Sequence, residues 1–124
     1  MVGYSVEIKN ASKTLSAKER IAVKDFSNAI SLDEVTQTAP VVIEIDYYVE
    51  CAVHNEKSDN KDYRKFVVVD KAGNKFVTGS ESFNTSLMDI VREMDGEEEA
   101  YSIEVYRKDS KNYKGKQFLT CSIV

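Results

Sequence analysis

Three short runs of this chain interleave rings with cations: Tyr63-Arg64-Lys65-Phe66, Tyr106-Arg107-Lys108 and Lys111-Asn112-Tyr113-Lys114. Flat rings offer surfaces on which bases stack, and cations neutralise phosphates, so the combination suits a single-stranded nucleic acid. Each stacked base contributes roughly 1–3 kcal/mol. The same residue types have plainer uses. Alternate aromatics on strands pack sheets, and lysine-rich turns keep hairpin edges solvated.

Charge is unevenly placed. The 124 residues carry a net charge of −4, which excludes a uniformly basic nucleic-acid protein but not a local basic patch. Asp89 to Glu99 holds six acidic residues against Arg92 alone, whereas Arg107 to Lys116 holds five basic residues against Asp109. Lys57 to Lys75 adds a second basic stretch. Tyr113 lies in a hydrophilic turn where folding gives no reason for a ring, so it is the aromatic with the weakest purely structural explanation.

Other chemistry is thinly supplied. The chain has one histidine, His54, no tryptophan, no Gly-rich phosphate loop and no Gly-x-Ser-x-Gly elbow, so no catalytic constellation can be assembled and an enzyme is not expected. Cys51 and Cys121 lack zinc spacing and are too few for a disulfide scaffold. Both sit in apolar alternating segments, as small buried hydrophobes do, and a reducing cytoplasm is the expected home. Glu44, Asp46 and Glu50, with His54, are the nearest approach to a metal-ligand set; strand neighbours of one sign are more commonly a solvated face, and no metal or cofactor is expected. No apolar run is long enough for a membrane span, and Met1 to Lys9 does not read as a secretion signal.

These residues need elements to hold them. At 42% hydrophobic and 31% charged residues, the chain has the composition of one globular domain, and no linker or repeat divides residues 1–124. Residues 1–18 read as a loose arm or an edge strand, with a short alternation at Tyr4, Val6 and Ile8. Arg20 to Phe26 reads as a half-buried strand with Ile21 and Val23 inward, and Ser27 to Pro40 as a long connection anchored by Ile30, Leu32 and Val35. Val41 to His54 is the clearest strand: Val41, Ile43, Ile45, Tyr47, Val49, Cys51 and Val53 share one face, and Glu44, Asp46, Tyr48 and Glu50 the other.

A polar hairpin loop, Asn55 to Lys61, leads to a strand over Tyr63 to Val69. Its inward phase is ambiguous, because Tyr63, Lys65, Val67 and Val69 compete with Arg64, Phe66 and Val68. The turn Asp70-Lys71-Ala72-Gly73-Asn74 puts glycine where a positive φ is wanted. Lys75 to Thr78 continues the meander. Phe83, Leu87, Ile90, Val91 and Met94 then recur at helical spacing behind capping serines Ser80 and Ser82, with a glycine stop at Asp95-Gly96. Two strands follow, Tyr101 to Arg107 and Gln117 to Val124. Inward Ile103 and Val105 turn Tyr106 outward; inward Leu119, Cys121 and Ile123 turn Phe118 outward.

Three strands with a hairpin extension, one short helix and two further strands make an all-β chain. That order fits a five-stranded Greek-key OB-fold barrel with its helix between strands 3 and 4. A cystatin-like α+β sheet and a plain β-sandwich explain the helix position less well. In an OB-fold, strands 2 and 3 and the loop between strands 4 and 5 flank the oligonucleotide groove, and here those are the two basic segments.

The second half of the chain resembles the small single-stranded DNA-binding proteins of tailed phages that infect Gram-positive bacteria. The resemblance rests on Phe66-Val67-Val68-Val69-Asp70, Ala72-Gly73, Phe76, Thr78-Gly79-Ser80 before the helix with Phe83, Leu87 and Ile90, the two final strands, and Lys114-Gly115 between them. It covers about residues 41 to 124. It implies an OB-fold that coats single-stranded DNA with little sequence preference during phage replication or recombination in the host cytoplasm, without catalysis. It admits a homo-oligomer, and phage or host replication and recombination proteins as partners. Phe66, Tyr106, Tyr113, Lys114 and Lys116 carry over as binding positions; Tyr48 and Arg64 join them on strand phase, and Arg107 and Lys111 on their place in the basic turn. The acidic tail with a hydrophobic anchor that cellular relatives carry is not expected here. The competing expectation is a phage-encoded OB-like protein-interaction module, favoured by the acidic face of Glu44, Asp46 and Glu50.

Overall fold

The computed structural model describes residues 3–59, 61–94, 101–109 and 115–124, and these are mostly β. They form seven strands and three helices rather than five strands and one helix. The chain divides into two compact units, Met1–Ile30 with Asp46–Gly79, and Ser31–Ile45 with Ser80–Val124.

The first unit contains β1 (Tyr4–Ala11), α1 (Ala17–Lys24), the greater part of β3 (Val41–Asn55), β4 (Asp62–Asp70) and β5 (Lys75–Thr78). The N-terminal segment is therefore a strand, paired antiparallel with β3 from Tyr4 opposite Asn55 to Ala11 opposite Val49, with a bulge at Lys9. β4 lies beside β3 and pairs antiparallel with β5. The β4–β5 turn is the one read from sequence: Gly73 adopts φ +90, and Asp70 accepts from the backbone N–H groups of Ala72 and Asn74.

The strand expected over Arg20 to Phe26 is a helix. Ser16 and Glu19 form a reciprocal capping box, the Ser16 hydroxyl accepting from Glu19 N–H and the Glu19 carboxylate from Ser16 N–H. This cap satisfies two otherwise orphaned donors and starts α1 one turn before the apparent alternation begins. In a helix Ile21 and Val23 fall on different sides: Val23 is fully buried, and Ile21 is 71% exposed. Lys75 closes the other end, its ammonium donating to the carbonyls of Ala22 and Asp25. Val23 packs in a core with Leu15, Tyr47, Val49, Cys51, Val67, Val69 and Val77.

The second unit contains α2 (Leu32–Val35), the first residues of β3, α3 (Glu81–Met94), β6 (Ser102–Asp109) and β7 (Gln117–Ile123). The two-residue β2 (Ile30–Ser31) and α2 thus lie inside what the sequence presents as a plain connection. Val41 to Glu44 of β3 pair antiparallel with Ser102 to Val105 of β6, which pairs with β7 along its length. Buried Leu32, Ile43, Phe83, Leu87, Ile103, Val105 and Leu119 supply the apolar interior. α3 begins where its serines suggest, with Ser80 Oγ accepting from Phe83 N–H. It is held to β7 by Ser82 donating to the Leu119 carbonyl (2.7 Å) and by a Ser86–Thr120 hydroxyl pair (2.6 Å). The helix stop at Asp95-Gly96 lies outside the described residues.

The alternation of β3 survives intact: Ile43, Ile45, Tyr47, Val49, Cys51 and Val53 are buried, and Glu44 and Asp46 are exposed. No helix among the described residues is long and apolar enough to cross a membrane.

Candidate nucleic-acid interface

The β6–β7 hairpin carries one coherent face. Directly opposed residues of an antiparallel pair project from the same side, and the register sets Tyr106 against Thr120 and Lys108 against Phe118. Tyr106, Lys108 and Phe118 therefore stand together, and Lys116 is the second residue before Phe118. Tyr106 and Phe118 are half-buried; Lys108 and Lys116 are exposed. The Tyr106 hydroxyl lies 2.8 Å from Ser122 Oγ, two residues along β7 from Thr120, which carries the ring diagonally across the strand pair. Neither lysine has a carboxylate partner among the described residues.

Arg107 does not join this face. It alternates with Tyr106 and so shares the side of buried Ile103 and Val105. Its Nη2 donates to the Asp33 carbonyl at 2.5 Å, while its Nε is buried with no hydrogen-bond partner. A guanidinium hydrogen-bonded to the α2 backbone ties that helix to β6. Lys111, Tyr113 and Lys114 lie outside the described residues.

Two of the expected residues in the first unit are also engaged within the fold. Phe66 is 2% exposed, which leaves no ring face for a base. Its ambiguous strand resolves by burying both faces, Phe66 and Val68 on one and Val67 and Val69 on the other. Arg64 lies over the Phe66 ring at 5.2 Å and bridges to Glu50 at 3.0 Å, so its charge is already compensated. Tyr48 is half-buried, and its backbone pairs with Ser12; burial pushes its phenol upward in pKa.

Pairing of opposite charges recurs across this unit. Lys9 meets Glu7 at 3.3 Å, and Lys71 meets Asp46 at 3.7 Å. At the β3–β4 hairpin, His54 Nδ1 lies 2.7 Å from Asp62 and Nε2 lies 2.6 Å from Glu56, with Lys61 also on Glu56 at 3.3 Å. Hydrogen bonds to Asp62 first and Glu56 second raise the His54 pKa, and the His54 contact lowers that of Glu56. A recess of about 410 Å³ opens above the small Ala52 side chain, between Ser5 and Glu7 on β1 and His54 and Arg64.

The remaining groups offer little reactivity. Burial pushes the Cys51 thiol up to about 11 and that of Cys121 to about 12, far from a thiolate at neutral pH. Among the described residues no three His, Cys, Asp or Glu side chains converge as a metal-binding group. His54 has carboxylates on opposite ring nitrogens, so they cannot share one ion with it.

Sequence reasoning undervalued Lys108 and Phe118. The outward phase of Phe118 was legible, but its pairing with Lys108 depends on the β6–β7 register, which no local pattern supplies. The His54–Asp62–Glu56 cluster had only hairpin proximity as a signal. Comparison with family models, curated proteins and solved structures finds no match for this chain.

Proposed function

We propose that this chain is an OB-like barrel protein that coats single-stranded DNA with little sequence preference, and that it acts without catalysis in phage replication or recombination in the host cytoplasm. Strand order supports the fold. With Ala17–Lys24 recognised as helical, the OB count runs β3, β4, β5, α3, β6, β7, with the helix after the third strand. The long first strand of that count, β3, has β4 beside it and pairs with β6 through its opening residues, as an OB barrel requires.

The observation that carries the functional reading is the face of the β6–β7 hairpin, where half-exposed rings Tyr106 and Phe118 accompany exposed Lys108 and Lys116. Rings accept bases of any identity, and lysines without carboxylate partners accept phosphates. Between these strands the sequence reads Lys111-Asn112-Tyr113-Lys114, residue types of the same chemistry.

Fluorescence polarisation with a labelled oligo(dT) tests this, at low and physiological salt with duplex as control. Saturable binding that prefers the single strand is expected. If about four lysines neutralise phosphates, the log–log salt slope is near −3, a loss of roughly 60-fold over a fourfold rise in salt. Absence of binding at low salt and micromolar protein would overturn the reading.

A protein-interaction module is the second reading. It is favoured by the first unit, where Lys9, Arg64 and Lys71 are each tied to a carboxylate, and by the exposed acid Glu44 of the second unit, which repels phosphate.

A further inference from the structure

The apolar stripe of α3 continues beyond the part of the helix that is covered. Phe83 and Leu87 are buried, whereas Ile90 and Met94, the next residues of the stripe, are only partly so. With Ile123 of β7, which is 51% exposed although its strand phase turns it inward, they line a groove of about 230 Å³ whose wall is apolar. Val124 beside it is also exposed. Asp89 and Glu93 form the rim. Asp89 is engaged by Arg92, but Glu93 has no cation partner among the described residues.

We infer that this groove docks a peptide segment of a partner protein that offers one bulky apolar side chain flanked by lysine or arginine. The volume matches one large side chain rather than a helix face. Methionine suits such a contact, because its unbranched thioether chain adapts to different shapes. Charge selects the flanks. The rim is acidic, with Glu93 unpaired among the described residues, so acidic partners are repelled. The groove is made only from the second unit, and it shares no residue with the Tyr106–Phe118 face.

The test is a titration of the full chain, ¹³C-labelled at methionine and isoleucine methyls, with a synthetic Lys-Lys-Phe-Lys-Lys peptide. Saturable shifts at Ile90, Met94 and Ile123 are expected, with little change at Met88. Replacing the peptide phenylalanine by serine, or its lysines by glutamates, should abolish them. Met94→Asp and Glu93→Lys are surface changes whose folding is checked by circular dichroism. Each should weaken binding by about tenfold or more, while oligo(dT) binding remains that of the wild type.

Equal binding of the serine peptide, or shifts spread over the whole surface, would overturn the proposal. So would sedimentation showing that the wild type self-associates and that Met94→Asp restores the monomer, because the occupant would then be a second copy. Loss of oligo(dT) binding with the peptide shifts intact would remove the nucleic-acid reading and leave this one standing.

Discussion

Several cations of the first unit are paired with carboxylates, whereas those described on the β6–β7 hairpin of the second are not. In the first unit Lys9, Arg64 and Lys71 each face a carboxylate, and His54 lies between two. On the β6–β7 hairpin of the second unit, Lys108 and Lys116 have no such partner among the described residues. Aromatic rings diverge in the same way. Phe66 is sealed beneath Arg64, whereas Tyr106 and Phe118 keep part of their surface open. A count of basic and aromatic residues makes Tyr63 to Phe66 and Tyr106 to Lys108 look alike. What separates them is that Phe66 is buried and Arg64 is bridged to Glu50 on the neighbouring strand, although Lys65 lies over the Tyr63 ring with no carboxylate partner among the described residues.

Ring truncations give the sharpest contrast. Phe66→Ala removes a buried side chain and should cost about 3–5 kcal/mol of stability, read by chemical denaturation, while the protein that remains folded keeps its oligo(dT) affinity. Tyr106→Ala and Phe118→Ala should do the reverse. Each should weaken oligo(dT) binding by about 1–3 kcal/mol with a smaller loss of stability. Were Phe66→Ala to reduce affinity in a fully folded protein, the contrast between the two faces would fail.

Charge removal is a gentler probe. Lys108→Ala and Lys116→Ala should each flatten the salt slope of oligo(dT) binding by about 0.7, since each deletes one phosphate contact to a single strand. Arg64→Ala should leave that slope unchanged, because its charge is spent on Glu50. A drop in slope on Arg64→Ala would put the first unit back into the interface.

The smallest effect is at the β3–β4 hairpin. The His54 pKa should titrate above its ordinary 6.5 by NMR, and Asp62→Asn should lower it more than Glu56→Gln. A raised histidine contributes stability that is complete below about pH 6.5 and is lost as pH rises through the folded value. Glu56, held below its ordinary 4.5, contributes stability that is present above 4.5 and is lost as pH falls through its own folded value. The pair therefore supports the hairpin best between those limits. An unshifted His54 would show that the contacts do not persist in solution.

Local signals accounted for a good part of this fold. The period-two alternation of β3, the Gly73 turn and the serine-capped α3 are each written within a few consecutive residues, and each is present. The strand misread over Arg20 to Phe26 also had a local signal, the Ser16-x-x-Glu19 box, which outweighs a short alternation because it satisfies backbone donors that a bare helix start leaves unpaired. For the site, the outward phase of Tyr106 and Phe118 was legible, and that of Phe66 was not, since the four residues from Phe66 to Val69 are all apolar and carry no phase.

Sequence by itself determined which residues alternate and where turns need glycine. Tertiary structure alone decided that Phe66 is covered, that Arg107 turns inward to a backbone carbonyl, that Arg64 meets Glu50, and that Lys108 stands beside Phe118. The physical reason is range. Pleat, cap and turn preferences act over two to four residues, whereas charge pairing and burial depend on which distant strands become neighbours, and register is set by the summed packing of the whole sheet.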